Sequence, residues 1–459
     1  MKPAPTLALY LAIGLLMRVP SVVFAEGYQF VDQQYQYVDP AWHLATGDDW
    51  LETHEWKRGM RSWVYPGMLA GVFKAANSLG FEDALWRMTL VRLVHAVFSL
   101  LPLIAFWFVV TRWRPIAGAR AALFFFACSG ALLHTGVQPS GPTFAAGLSV
   151  AAVLFFLGPG RWPALLSGLL LGIAFCCRFQ DALFGPVLFA AGLFARQPRK
   201  CLWLALGFLG PLLLQGLVDL RTWGGFMHSP IEFFRFNVIE GGGTAWATKP
   251  FWFYAVVVVA PYVMFVPPFF KASVENLRRG ARTLAIPLLA AALYILVLSF
   301  ISRKSVRFLP PALGLVSAVL AVGLFCEPLR GRAFVHRRVL VIGHVALAVV
   351  LSLYAVNRGP VRAAYALGEH PEFTGEVTIV DGNDTDVGGL YYLHRKKINV
   401  KLAKRDELAA VLEPGQFVLV RRSPIDPRSL GGRKVELLGS YTNIPDVSGY
   451  RRTYLYRIQ

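Results

Sequence analysis

Long apolar runs separated by short basic gaps constrain this chain more than any motif in it. The first lies at 4–25, and others follow at roughly 85–110, 116–134, 143–158, 163–177, 183–196, 201–219, 251–270, 283–301, 308–326 and 338–357. A helix of about 20 apolar residues crosses a bilayer, so these runs predict about eleven transmembrane helices, some of them short. Composition agrees: with 55% hydrophobic and only 16% charged residues and a mean hydropathy of +0.49, the ordinary soluble class is excluded. The chain reads as a polytopic α-helical membrane protein. Its five cysteines fall in or at the ends of apolar runs and predict neither a disulfide framework nor a metal site.

The net charge of +19 comes mostly from arginines and lysines in the gaps: Arg112 and Arg114, Arg161, Arg196 to Lys200, Lys271 to Arg282, and Arg330 to Arg338. Cytoplasmic loops facing anionic lipid carry this pattern, and with no basic helix or RNA-binding motif a nucleic-acid partner is excluded. Positive-inside counting then places the N-terminus in the cytoplasm and residues 26–66 outside, in a bacterial periplasm or an ER lumen. A cleaved signal peptide ending at Ala25 is the alternative for the first run, but Arg18 within it favours a retained anchor. The short run from Tyr65 to Gly80 carries Lys74 and is expected to graze or re-enter the membrane.

Six cations break the rule by falling on the outer side: Arg178, Arg221, Lys249, Arg303, Lys304 and Arg307. A charge within the hydrocarbon costs about 2.5–3.5 kcal/mol on insertion scales. Singly, such residues can snorkel at helix ends. Three cations within 303–307 instead predict a bound anion.

The outer segment Asp32–Pro66 collects acids in a chain that has few. Of 27 acidic residues, Asp32, Asp39, Asp48, Asp49, Glu52 and Glu55 crowd together here with Glu26 just upstream, among Tyr35, Trp42, Trp56, Trp63 and Tyr65. Carboxylates beside aromatic faces suit a carbohydrate, whose hydroxyls lie at the ring edge and whose C–H groups lie on its face. A second outer segment, 219–252, holds Gly241-Gly242-Gly243 with Asn237, Thr244, Trp246 and Trp252 around it. No GK[ST] follows these glycines, so a nucleotide phosphate loop is not expected.

Beyond Asn357 the chain becomes charged. Short β-branched or alternating runs at Val377–Val380, Phe417–Val420, Val435–Leu438 and Tyr454–Ile458, with a helix at Arg405–Leu412, predict a small α/β domain outside the membrane. The domains are thus expected at 1–357, with outer loops 26–66 and 219–252, and at 358–459. The run Asp381–Asp386 lacks the ligand spacing of an EF-hand and reads as a turn after a strand, with Asn383 in a glycosylation sequon.

In order along the chain come Asp32-Gln33-Gln34-Tyr35-Gln36, Asp39, Thr53-His54-Glu55-Trp56, Arg61-Ser62-Trp63-Val64-Tyr65-Pro66, Arg178, Asp219, Phe236-Asn237 through Gly243-Thr244 to Lys249-Pro250 and Tyr254, and Ser302-Arg303-Lys304 with Arg307-Phe308. This series resembles the polyprenol-phosphate-mannose-dependent α-mannosyltransferases of the GT-C superfamily, most of all the branch that adds the third mannose of GPI anchors. The resemblance covers roughly residues 15–330 and implies a GT-C membrane fold. It also implies a polyprenyl-phosphate sugar donor and a glycan or glycolipid acceptor. The chain departs from the family at Gln33, where a second acid is usual, and at Lys249, Arg303 and Ser305.

Under this resemblance Asp32 is the general base, since an aspartate's reference pKa of about 3.9 leaves it ionised at neutral pH. Lys304, Arg307 and Lys249 are expected to hold the donor phosphate. Gln36, Asp39, Glu55, Trp56 and Asn237 are expected at the sugars, with Asp39 and Glu55 either binding acceptor hydroxyls or orienting the loop. Arg61 either binds substrate or pairs with an acid of its own loop. No cofactor and no metal is expected. A lipid transporter, a GT-C enzyme for another sugar and a non-catalytic relative are the rival readings; inverted repeats, which would mark a transporter, are not found.

Overall fold

The computed structural model describes residues 6–129, 133–245, 248–263, 267–301, 303–326, 332–353, 355–421, 423–426, 432–443 and 452–459. Trp246, Ser302 and Arg330 lie outside the described residues, as do the side chains of Thr244, Lys271, Arg278, Arg279, Arg282, Arg332 and Arg337. The chain forms two compact units, which differ from a single division at 357. The first comprises Met1–Val19, Arg58–Val64 and Leu93–Ser352, and the second Pro20–Lys57, Tyr65–Arg92 and Leu353–Gln459.

The first unit is a helical bundle. Among the described residues of the whole chain, the helices Leu7–Phe24, Ala84–Trp113 and Pro198–Trp223 are long and apolar enough to cross a membrane. Shorter apolar helices run at Gly141–Phe156, Arg161–Cys177, Phe179–Phe194, Leu284–Phe300, Pro310–Phe325 and Val341–Ser352. The expected run at 251–270 becomes a helix at Phe253–Val263. The gap expected at 271–282 is helical, because Pro267–Phe300 is one 34-residue helix. At 1.5 Å per residue it is about 50 Å long, more than a bilayer core needs.

Sequence explains where several helices begin and how they pack. Gly141–Phe156 starts at Ser140, whose side chain accepts the Thr143 amide, with Pro142 in the first turn. It and Pro310–Phe325 are buried on nearly all sides, as expected for helices apolar all round. Arg161–Cys177 and Pro198–Trp223 approach backbone to backbone. A Cβ on Gly168 would lie 2.0 Å from the Leu204 carbonyl, and one on Gly207 would lie 2.1 Å from the Leu165 carbonyl. Small residues are what permit such contact between apolar helices, where lipid offers no hydrophobic drive.

The second unit is α/β at its C-terminal end. Strands β1 (Glu376–Val380), β2 (Asn399–Ala403), β3 (Phe417–Arg421), β4 (Val435–Tyr441) and β5 (Thr453–Ile458) form a sheet in the order β2-β1-β3-β5-β4. β1 is parallel to β2 and β3, and β5 is antiparallel to β3 and β4. Four strands coincide with the expected runs; β2 was not expected. Val380, Leu408, Val418, Val420, Tyr456 and Ile458 share a core on it. The expected helix at 405–412 is a 3-10 turn, Arg405–Glu407, followed by Leu408–Val411. The run after β1 is the expected turn: Asn383 and Asp386 cap the 3-10 helix Asp384–Val387 from both sides. Helix Arg358–Gly368 and the helix Val64–Ser78, the latter at the place of the expected re-entrant piece, complete the unit from Tyr65 onward.

Replacing Gly207 with leucine should disrupt the close helix pair. Overpacking of this kind costs about 1–3 kcal/mol or more, so the variant should melt well below the wild type in detergent, whereas leucine at Gly210, which faces open space, should not.

Candidate functional site

In the second unit, the acidic segment is helical almost from its start. Val31–Gln33 makes one α turn, Gln34–Val38 a π turn, and Asp39–Thr46 resumes as α-helix until Gly47 ends it with φ 76°. The wide π turn leaves Gln34, Tyr35, Gln36, Tyr37 and Val38 all buried. Asp32 stands in the first turn and is half-buried.

Asp39 is 1% exposed and receives only donors. Its Oδ1 accepts from Gln34 Nε2 at 2.6 Å and from the Tyr391 amide at 3.1 Å, and its Oδ2 accepts from the Leu390 amide at 3.0 Å. Burial pushes its pKa up to about 6, against the pull of these three hydrogen bonds. Asp39 is thus engaged by three donors of its own unit. Gln36 Nε2 donates to Glu55 and, at 3.0 Å, to Thr53 Oγ1. Asp48 accepts from the Trp42 indole at 2.9 Å, Asp49 from the Ile398 amide at 3.0 Å, and Glu26 from Arg358 at 2.9 Å and from Arg362.

The expected stacking faces are a correction. Tyr35, Trp42, Trp56 and Tyr65 are each at most 4% exposed. Trp42 meets Phe73 and Tyr391 edge-on at 5.4 and 5.1 Å, with the Arg87 guanidinium 4.4 Å from its ring. Trp56 meets Trp50 edge-on at 5.5 Å. The segment folds onto its own helices, and its aromatic residues become core. Trp50 and Trp63 remain half-buried.

In the first unit, Arg58–Val64 packs along the second outer segment, which is helical at His228–Phe234 rather than an open loop. Arg61 is half-buried, and its carbonyl accepts the Trp223 indole at 3.2 Å. Arg58 pairs with Glu232 at 3.3 Å and with Glu240. Ser62 Oγ donates to Gln215 at 2.6 Å, Gln215 to Asp219 at 2.9 Å, and Asp219 also accepts the Ser229 amide at 2.9 Å. Gln215 had no signal in the sequence beyond polarity in an apolar run, and Ser229 none that set it apart within the second outer segment.

The expected cations come together in this unit. Asn237 lies in the π turn Arg235–Ile239 and donates to the Phe233 carbonyl at 2.9 Å. A Cβ on Gly243 would sit 3.5 Å from Asn237 Oδ1 and 3.8 Å from Arg303 Cβ, and Thr248 forms a β-bridge with Arg303. Lys249 is exposed, and its carbonyl accepts Lys304 Nζ at 3.0 Å; the Ile301 carbonyl accepts it at 2.7 Å. Lys304 is 7% exposed, and burial holds its pKa below the ordinary lysine value. The half-buried Arg307 has its guanidinium 5.1 Å from the Phe308 ring. Among the described residues no carboxylate pairs with Lys304, and no group of three or more metal-ligating side chains is placed to hold an ion.

Fold and sequence point the same way. The structure resembles ArnT from Cupriavidus metallidurans bound to undecaprenyl phosphate with a TM-score of 0.65 at 14% identity, over 98% of this chain and 97% of that one. It resembles the Archaeoglobus fulgidus oligosaccharyltransferase with a TM-score of 0.51 at 13% identity, over 90% and 67%. This is the fold of polytopic GT-C membrane proteins. Residues 9–375 match the Alg9-like mannosyltransferase family, and the chain belongs to it. It is 26% identical to GPI mannosyltransferase 3 of Drosophila melanogaster over 77% of this chain and 63% of that one, and 24% identical to the human GPI alpha-1,2-mannosyltransferase 3 over 61% and 51%. The chain thus spans between about half and two thirds of the length of these relatives.

Asp39 yields a pH test. Its pKa is higher in the folded chain, about 6, than the ordinary 3.8, so the folded state binds this proton more tightly than the unfolded chain. The stabilisation is full below pH 3.8 and is lost as pH rises to about 6. Melting temperatures of wild type and Asp39→Asn across pH 4 to 7 should differ in slope in that window, the variant being flatter, and run parallel above it.

Proposed function

We propose that the chain is an inverting glycosyltransferase that moves a mannosyl residue from a polyprenyl-phosphate sugar to a glycan or glycolipid acceptor on the outer face of its membrane. The observation that carries this reading is Lys304: a lysine buried among carbonyls, with Arg307 three residues on and no paired carboxylate among the described residues, in a chain of the Alg9-like mannosyltransferase family. The Lys304 ammonium has no carboxylate partner among the described residues, and the phosphate of a lipid-linked sugar supplies an anion for it.

In the reaction, the acceptor hydroxyl oxygen attacks the anomeric carbon from the face opposite the phosphate. The new C–O bond forms as the bond to the phosphate oxygen breaks, and the configuration inverts. Asp32 takes the hydroxyl proton, and the polyprenyl phosphate leaves with the bonding pair, its growing charge met by Lys304 and Arg307, with Lys249 in support. No acid is needed at the leaving group, because phosphate is a good one when cations hold it. A glycosidase, which expels an alkoxide, needs two carboxylates. The apolar helices would receive the polyprenyl tail. Membership of the family supports the sugar and the donor; the outer-side cations support the orientation, periplasmic in a bacterial inner membrane or luminal in the ER. Asn237 and Gln36 are proposed to order the segments that meet the sugars, and membrane lipid is the solvent for the remainder.

The test is transfer of labelled mannose from synthetic polyprenyl-phosphate-mannose by purified protein with host lipid extract. A general base contributes about 10²–10⁴-fold, so Asp32→Asn should lose at least the lower of these while keeping the wild-type melting temperature. Lys304→Ala and Arg307→Ala should raise the donor KM. Unchanged donor KM in both variants would sink the phosphate assignment, and labelled product only from a different lipid-phosphate sugar would sink the mannosyl one.

A further inference from the structure

Arg178 ends the helix Arg161–Cys177 and is 5% exposed. Its position is set by three contacts within the first unit. Nη1 donates to the Phe308 carbonyl at 3.4 Å, Nε stands 3.7 Å from Asp181 Oδ1, and the guanidinium lies 5.8 Å from the Tyr294 ring. Asp181 is itself shared out, accepting from Ser149 Oγ at 2.7 Å and from the Tyr294 hydroxyl at 3.4 Å. The Tyr294 hydroxyl also donates to the Phe308 carbonyl, at 3.1 Å. Two groups therefore converge on one carbonyl, at the end of the turn that carries Lys304 and Arg307.

What these contacts leave over is Nη2, on the edge whose Nε stands beside Asp181 at ion-pair distance. Nε and Nη2 of Arg178 are buried and have no hydrogen-bond partner among the described residues. A cation closing a helix C-terminus needs only the interaction with its dipole. That role does not account for a buried Nη2 with no hydrogen-bond partner among the described residues. Phe308 shows where they are relative to the other charges: the Arg178 guanidinium is 5.0 Å from its ring centroid and the Arg307 guanidinium 5.1 Å from the same point. The two charges are thus about 10 Å apart at most, and both act on Tyr254, whose hydroxyl accepts the Ser305 amide at 3.0 Å. Arg178 and Arg307 thus lie against one ring, and Lys304 stands on the same turn as Arg307, with Asp181 the acid paired to Arg178.

We propose that Arg178 is a third cation for the donor phosphate, presenting its Nη2 edge to a phosphate oxygen, and that Asp181 and Tyr294 are positioning residues that hold it and the Phe308 carbonyl in register. This rests on the donor-phosphate reading above and adds to it a residue from a different helix. The ligand chemistry is a phosphate monoester or diester. The source is a lipid headgroup, since the turn belongs to a bundle of apolar helices.

The test uses the full chain in nanodiscs and measures binding of undecaprenyl phosphate, undecaprenol and inorganic phosphate to wild type, Lys304→Gln, Arg178→Gln, Asp181→Asn and Asp181→Glu. Loss of a charge-assisted contact should weaken undecaprenyl phosphate binding by roughly tenfold or more in Arg178→Gln, with undecaprenol binding unchanged. Asp181→Asn should raise donor KM more than it lowers kcat, and Asp181→Glu should recover most of the affinity. If Lys304→Gln weakens binding and Arg178→Gln does not, Arg178 has no part in the phosphate site while the reading of Lys304 stands. If wild type binds undecaprenyl phosphate no better than undecaprenol, the donor-phosphate reading fails and Arg178 with it. Loss of inorganic phosphate binding alone, with the lipid retained, also overturns the proposal. Should Arg178→Gln not purify folded, a structure of wild type with undecaprenyl phosphate decides: a phosphate oxygen within hydrogen-bond reach of Nη2 supports the assignment, and water alone on that edge refutes it.

Discussion

The second unit depends on one buried carboxylate. Asp39 receives its own neighbour Gln34 and two amides from 351 and 352 residues further along the chain. Removing those donors from water without an acceptor would leave three unsatisfied N–H groups in the interior, so the helix at 39–46 and the turn at 390–393 stand or fall together. Most other acids of the same segment repeat the pattern at lower stakes: Asp49 accepts a backbone amide, and Asp48, Glu55 and Glu26 accept side chains. An acid-rich stretch in an otherwise basic chain is here, in large part, a set of acceptors for the protein's own donors.

The first unit shows the reverse economy of charge. Two of its cations are seen against uncharged groups: Lys304 is held by two carbonyls and Arg307 lies beside Phe308. Carbonyl oxygens orient an ammonium but do not neutralise it. The Lys304 ammonium is therefore held in place with no carboxylate paired to it among the described residues, and a cation fixed in this way meets an anion without having to reorganise.

The apolar runs were legible in outline because period and length alone report a buried helix. Their ends were not. Pro267–Phe300 absorbs a basic gap since nothing in that gap stops a helix, and charge by itself does not. Four strands were legible from β-branched runs, whereas β2, Asn-Val-Lys-Leu-Ala, is mostly exposed and carries little apolar signal. At the site, the motif order located Asp32, Lys304 and Arg307 without saying what each would touch. Tryptophans at 42 and 56 looked like sugar platforms because residue type does not distinguish a ring that faces solvent from one that fills a core. Asp181 was readable in principle, as an acid beside an arginine between two apolar runs, where burial has to be justified by partners.

The backbone contact of Gly168 with Leu204, and of Gly207 with Leu165, has a mechanical meaning. Helices that touch through their main chains cannot slide or roll on each other by side-chain rearrangement, and so they behave as a single beam. Arg178 closes one of the two helices, and Asp219, which fixes the Ser229 turn, lies near the end of the other. Any displacement that carries one of these residues must carry the other with it, so the cation cluster and the second outer segment share a common lever.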